Sequence, residues 1–284
     1  MKNARYTYTF ILLLTVIATL VTSTLRTFAL LIEFDTAASY YTHDASLPAV
    51  FMWGTLITVV AIIIFIVLMR RDIGKVTVNS DSAAIIYIAA VLGFVIVACT
   101  LLDFFLGGSG QSTISTVTLI LSIPAALYCI IGVAMPIGNK SAETLLSVLM
   151  ILWLFFMLIG VYFETGVEIN NPNKTLALAS MASALLFFVS EGRFLVGTQR
   201  RWLYLSSGLI TVVVSGLYSL PNAILLTLHA YPDTISVTQE VLCLCLFAYA
   251  LMRMCICTGM IGEEESSDNN FDDIEVAYGD TNAQ

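Results

Sequence analysis

The stretch Tyr6–Leu25, "YTYTFILLLTVIATLVTSTL", runs for twenty residues without one charged side chain. As a helix rising 1.5 Å per residue it covers about 30 Å, the thickness of bilayer hydrocarbon. Lys2 and Arg5 precede it, as they would in a cleaved leader. However, the run outlasts the ~7–15 apolar residues of a leader, and no clean small-residue cleavage site follows. It reads as a retained first span.

Seven further runs of similar length follow: Val50–Met69, Ala83–Leu102, Ser115–Met135, Leu145–Phe163, one from Thr175 that soon meets Glu191, Trp202–Leu228 and Ile235–Gly259. Asp103 and the turn "GGSGQS" are expected to stop the third, and Pro136 the fourth. The runs are too long for strands and lack the alternation of a transmembrane barrel. Hydrophobic residues make up 58% of the chain and charged residues 11%. Soluble domains carry about 25% charge, so this chain cannot cover itself in water. The expected fold is all-α: a polytopic membrane bundle of eight helices over residues 1–262, with the lipid bilayer as its first partner.

Charge decides the orientation. With the N-terminus inside, Lys2, Arg5, Arg70, Arg71, Lys75, Lys140, Arg193, Arg200 and Arg201 fall on the cytoplasmic side, and Lys174 alone in an outer loop. Short loops with such a bias orient membrane proteins. Eight spans then return the C-terminus to the cytoplasm. The net charge of −8 comes wholly from residues 263–284, which hold eight acids and no base; residues 1–262 balance twelve bases with twelve acids. That tail has the composition of a disordered segment. Phe271, Ile274, Val276 and Tyr278 among its acids would suit a basic protein partner. No nucleic-acid partner is expected.

Candidate binding residues form one outer polar layer: Arg26, Asp103, Glu240 and His229, with Glu164 beside them. Arg26 and Asp103 fall about twenty residues above the cytoplasmic ends of their spans, at the edge of the hydrocarbon. Residues there can also snorkel to water. Glu240 lies about 7 Å inside the eighth span, and its side chain is short. A buried, paired carboxylate is expected, with Arg26 as its first partner. On the other side, Arg253 can reach the interface or pair with Glu191.

Pro124 and Pro221 lie inside spans. Each removes a helical N–H, leaving the carbonyls of Ile120 and Leu217 without their usual donors. Pro124, Pro221 and Asn222 are the hinge candidates. Small residues at Ala179, Ser180, Ser183, Ala184, Gly208 and Gly216 predict tight packing of spans six and seven.

Catalysis has little foothold. Ser109 in "GGSG" lies in a polar turn rather than in a span. The C-x-C pairs Cys243/Cys245 and Cys255/Cys257 point about 200° apart on a helix and cannot close on one metal. No metal, cofactor or catalytic residue is expected. The functional expectation is a small transporter or permease component with an outward polar pocket, in the cell membrane. The alternative is a membrane-embedded sensor or scaffold that recruits a partner through its tail.

The orientation is checked with single cysteines at Ser109 and Ser266 in a cysteine-free background. An impermeant maleimide is expected to label the first in intact cells and the second only after permeabilisation. Labelling of both from outside overturns the topology.

Overall fold

Each apolar run is a helix in the computed structural model. It describes residues 2–35, 38–69, 83–106, 112–133, 140–164, 167–168, 170–196, 201–228 and 236–258. His229, Ser109 and the acidic tail lie outside the described residues. The helices are α1 (Lys2–Ile32), α2 (Leu47–Met69), α3 (Ala83–Leu106), α4 (Thr113–Leu127), α5 (Lys140–Phe163), α6 (Pro172–Leu195), α7 (Arg201–Thr227) and α8 (Val237–Cys257). All eight are long and apolar enough to cross a membrane once the π-turn Tyr128–Gly132 is added to α4. The fold is an all-α polytopic bundle.

Two expected stops differ. Helix α1 continues a full turn and more beyond Leu25, to Ile32, which places Arg26 within the helix. Asp103 does not stop α3, which runs on to Leu106. Pro124 lies inside α4, which passes into the π-turn directly after Leu127; Pro136, the expected end of that span, lies outside the described residues. Hydropathy alone misses such ends, because a polar residue facing protein does not interrupt a helix.

The start of α1 and the end of α8 lie on one face of the bundle, here the termini face. The Thr9 hydroxyl donates to the Thr258 carbonyl there at 3.4 Å. On the opposite, distal face a two-stranded hairpin, β1 (Phe34–Asp35) and β2 (Tyr40–Tyr41), joins α1 to α2. Ser39 turns the hairpin with φ of 60°. The Tyr40 hydroxyl donates to Glu168 at 2.7 Å. That carboxylate pushes the phenol above its usual pKa.

Helix α7 is the axis of the bundle. It packs against α1, α2, α6 and α8, and 67% of an apolar eighteen-residue stretch of it is buried, against 17% for α2. Helix α2 turns Trp53, Ile57 and Leu68 outward, an apolar face suited to lipid. In α1, Thr15, Thr19 and Thr22 sit in the interior by donating to carbonyls four residues back, at 2.8–2.9 Å. Such back-bonding lets hydroxyls enter a dry bundle.

The small residues do two jobs, not the single one expected. Ser180 and Ala184 pack α6 on α7, and Ser180 donates to Ser215 at 2.8 Å. Gly208 and Gly216 do not face α6. A Cβ at Gly208 would meet Met254 of α8 at 2.4 Å. At Gly216 it would meet Thr19 of α1 at 2.5 Å and Phe247 of α8 at 2.9 Å. These glycines let α1 and α8 close on the axis.

Gly216→Ala is therefore expected to destabilise by about 1–3 kcal/mol, the range of overpacked cores. Gly160→Ala is the control, because its Cβ would meet Ile114 at an ordinary 3.7 Å. Thermal unfolding in detergent micelles is expected to show a lower midpoint for the first variant and no loss for the second.

Candidate functional site

The site is built where α7 lacks a backbone donor. Pro221 deprives the Leu217 carbonyl of its helical partner. Arg26 of α1 supplies a replacement: its Nη1 donates to the carbonyls of Leu217 and Tyr218, at 2.6 and 2.7 Å. Nη2 donates to Asn173 Oδ1 at 2.7 Å and to Asn222 Oδ1 at 3.2 Å. The guanidinium lies over the Tyr218 ring, 5.6 Å from its centroid, and the side chain is completely buried. Arg26 does not snorkel. The helix around it is longer than its apolar core, and four acceptors wait inside.

Glu240 is also buried, at 2% exposure, but it does not meet Arg26 directly. Asn222 stands between them. Its Oδ1 accepts from Arg26, and its Nδ2 donates to Glu240 Oε2 at 2.9 Å. Arg26 can only donate, so it holds Oδ1 on its side and leaves Nδ2 for the Glu240 carboxyl. The expected ion pair is thus a relay through α7, which an amide dipole fits without bringing the charges into contact. Tyr41 of the hairpin completes the surround. Burial raises its phenol above the usual pKa, and the Arg26 charge acts the other way.

Asp103 belongs elsewhere. It accepts from Thr238 and, at 3.4 Å, from Ser236 at the start of α8. It pins α3 to α8 and does not answer Arg26. Glu164 is exposed, with Gln239 Nε2 3.5 Å from its carboxylate. Pro124 lies away from these residues in α4, while Pro221 and Asn222 are at the centre of the cluster.

Two residues absent from the expected layer prove central, Asn173 and Lys174. Their signal was present in "NNPNK", Asn170–Lys174. Proline at the first helical position behind asparagine is a helix start. Asn171 Oδ1 accepts the N–H groups of Asn173 and Lys174, at 2.9 and 3.3 Å. Its Nδ2 donates to the Ser39 carbonyl of the hairpin at 3.1 Å. This cap holds Asn173 against Arg26. It also aims Lys174 Nζ at the carbonyls of Glu164 and Val167, at 2.6 and 2.8 Å.

Above the relay a shallow cleft opens on the distal face, with room for about one water molecule. Glu164, Asn173, Lys174, Tyr218 and Gln239 supply its polar lining.

A hydroxyl seam joins α6 to α7: Ser180 to Ser215, Thr211 to the Ser183 carbonyl at 2.9 Å, and Ser190 with Ser207 at 2.7 Å. Many of these hydroxyls donate to backbone carbonyls, so the seam glues helices and does not form a continuous proton wire. It ends near the termini face at a second ion cluster. Arg253 Nη2 lies 2.8 Å from Glu191 Oε1. The Tyr249 hydroxyl donates to Glu191 at 3.0 Å and accepts from Arg253 Nε at 3.2 Å. Phe188 stacks on Tyr249 at 5.5 Å. Arg253 is held in the bundle and does not reach for the interface.

The cysteines are dispersed hydrophobes, and among the described residues no group of His, Cys, Asp or Glu is arranged to hold a metal. Comparison with protein-family models, with curated proteins and with solved structures gives no match. Fold and composition define the class, a multi-pass helical membrane protein.

Arg26→Gln is expected to destabilise by about 3–5 kcal/mol, the range for breaking a buried charge network. Pro221→Ala returns a helical donor to Leu217, so the double variant is expected to recover part of that loss. A double-mutant cycle from unfolding in mixed micelles measures the coupling, expected at about 0.5–3 kcal/mol. Additive effects would show that Arg26 does not replace the missing N–H.

Proposed function

We propose that the protein is a small permease component of the cell membrane, with both termini in the cytoplasm and the distal cleft open to the outside. One observation carries the reading. The cleft lies on the break of α7: Tyr218 lines it, and the carbonyls at that break are held by Arg26. Permeases place solute at interrupted helices, where freed backbone groups and a change of helix angle are both at hand. A solute in this cleft touches residues whose arrangement depends on the kink. Pro221 and Asn222 are the hinge in this reading, and the Glu191–Arg253–Tyr249 cluster is the shut gate.

The Glu191–Arg253–Tyr249 cluster, its groups matched to one another near the termini face, favours a second reading, a membrane-embedded sensor or scaffold. There the solute would shift the α7 kink without crossing, and the acidic tail would carry the signal to a protein partner.

The test uses Gln239→Cys at the cleft in a cysteine-free background. An impermeant maleimide is expected to label it in intact cells, and labelling only after permeabilisation overturns an outward cleft. Proteoliposomes are then given a radiolabelled panel of amino acids, sugars and small carboxylates. Uptake of one class by the wild type, lost in Asn222→Ala, is the result expected of a permease. Binding without uptake selects the sensor.

A further inference from the structure

Pro124, a hinge candidate by sequence, takes no part in the distal site. It lies one turn before a second irregularity of the same helix. The Val133 N–H donates to the Tyr128 carbonyl at 3.2 Å, five residues back instead of four, and Tyr128–Gly132 is a π-turn. Pro124 has already removed the donor of the Ile120 carbonyl. Helices bend at prolines and at π-turns, and π-turns recur at functional sites. Helix α4 carries both, one after the other, toward its termini end.

Aromatic side chains lead from this turn to the Glu191–Arg253–Tyr249 cluster. The Tyr128 ring meets Phe188 of α6 edge-on, with centroids 6.4 Å apart and planes at 74°. Phe188 stacks on Tyr249 of α8, with planes at 12°. The Tyr249 hydroxyl then donates to Glu191 and accepts from Arg253. Tyr128, Phe188 and Tyr249 are all buried. A close-packed interior transmits displacement, so the place of the Tyr128 ring bears on the Tyr249 hydroxyl. That place is narrowly defined. A Cβ at Gly132 would meet the Tyr128 ring at 3.1 Å. Helix α3 presses on the turn as well: a Cβ at Gly93 would meet Ile130 at 2.9 Å and the Ala126 carbonyl at 3.0 Å.

We infer that the π-turn of α4 is the release element of the cluster, acting through Tyr128 and Phe188 on Tyr249. This rests on the reading of the cluster as the shut gate and names the element that works it. A π-turn holds one residue more than a turn of α-helix. Its loss, or its passage along the helix, rotates the adjoining side chains by about 100°, the angle of one residue. That rotation carries Tyr128 off Phe188. Phe188 then loses its support, and the Tyr249 hydroxyl leaves Glu191 and Arg253. Pro124 lets the end of α4 follow, because the hydrogen bond that would resist bending there is already absent.

The test is labelling of native cysteines in the full chain in lipid nanodiscs, with an impermeant maleimide and mass spectrometry of the peptides. Cys257 is the reporter, buried on α8 one turn beyond Arg253. Cys243, buried in the distal half of α8, reports general loosening. Gly132→Ala crowds the Tyr128 ring. Tyr128→Leu removes that ring without crowding, and so keeps the measurement if Gly132→Ala does not fold. Each is expected to raise the labelling rate of Cys257 by about fivefold or more, the effect of repacking one core contact. Cys243 is expected to stay protected. Tyr128→Phe keeps the ring and is expected to behave as the wild type. Glu191→Gln breaks the cluster directly and is expected to uncover Cys257. If Glu191→Gln uncovers it and the α4 variants do not, the inference falls and the gate stands. Labelling of Cys243 in step with Cys257 in the α4 variants also overturns the inference. If Glu191→Gln leaves Cys257 protected, both fall.

Discussion

Arg26 makes a helix whole that proline has broken. A guanidinium moved from water into a bundle costs several kcal/mol unless each donor finds an acceptor. Here the break in α7 supplies one acceptor, because Pro221 leaves the Leu217 oxygen without its own donor; Tyr218, Asn173 and Asn222 supply the others for the two terminal nitrogens, and Nε has none. The two liabilities cancel only in each other's presence. Since α7 touches α1, α2, α6 and α8, the distal end of the bundle is organised around this contact. Asn173 brings in α6, and Asn222 links Arg26 to Glu240 on α8.

The two ends of the bundle treat charge differently. At the termini face Glu191, Arg253 and Tyr249 satisfy one another directly, under a stacked Phe188. At the distal face the charges are separated by an amide or turned toward backbone. The first arrangement has donors and acceptors matched within itself. The second leaves Asn173 Nδ2 over. A buried polar group without a partner in a native fold calls for an explanation, commonly a water, an ion or a ligand. That asymmetry distinguishes the distal end from the termini face.

Between the ends, hydroxyls replace the apolar contacts of a water-soluble core. In hydrocarbon the hydrophobic effect does not drive helices together, so close packing and interhelical hydrogen bonds do. Ser180, Ser190, Ser207, Thr211 and Ser215 provide those bonds between α6 and α7. Gly208 and Gly216 provide the close approach of α1 and α8. These small residues appear in the sequence as one pattern. Which neighbour each one meets depends on rotation about the helix axis, and composition does not carry that.

The sequence by itself determined the class, the number of helices and their centres, because crossing hydrocarbon demands about twenty apolar residues and little else. It also located the free carbonyl of Leu217, since the loss of a donor at Pro221 is local chemistry. The cap in "NNPNK" was equally local and could have been read there. Helix ends were less legible: α1 and α3 run through Arg26 and Asp103 because those side chains face protein. Only the tertiary structure decided that Arg26 reaches the α7 break, that Asn222 stands between Arg26 and Glu240, and that Asp103 turns to α8. Each of these pairings joins residues 133 or more positions apart, or fixes which side of a helix an amide faces. Hydrophobic patterning sets how deep a residue lies in the membrane. Its partners are set by how the helices are rotated and packed, and that arrangement exists only when all eight have met.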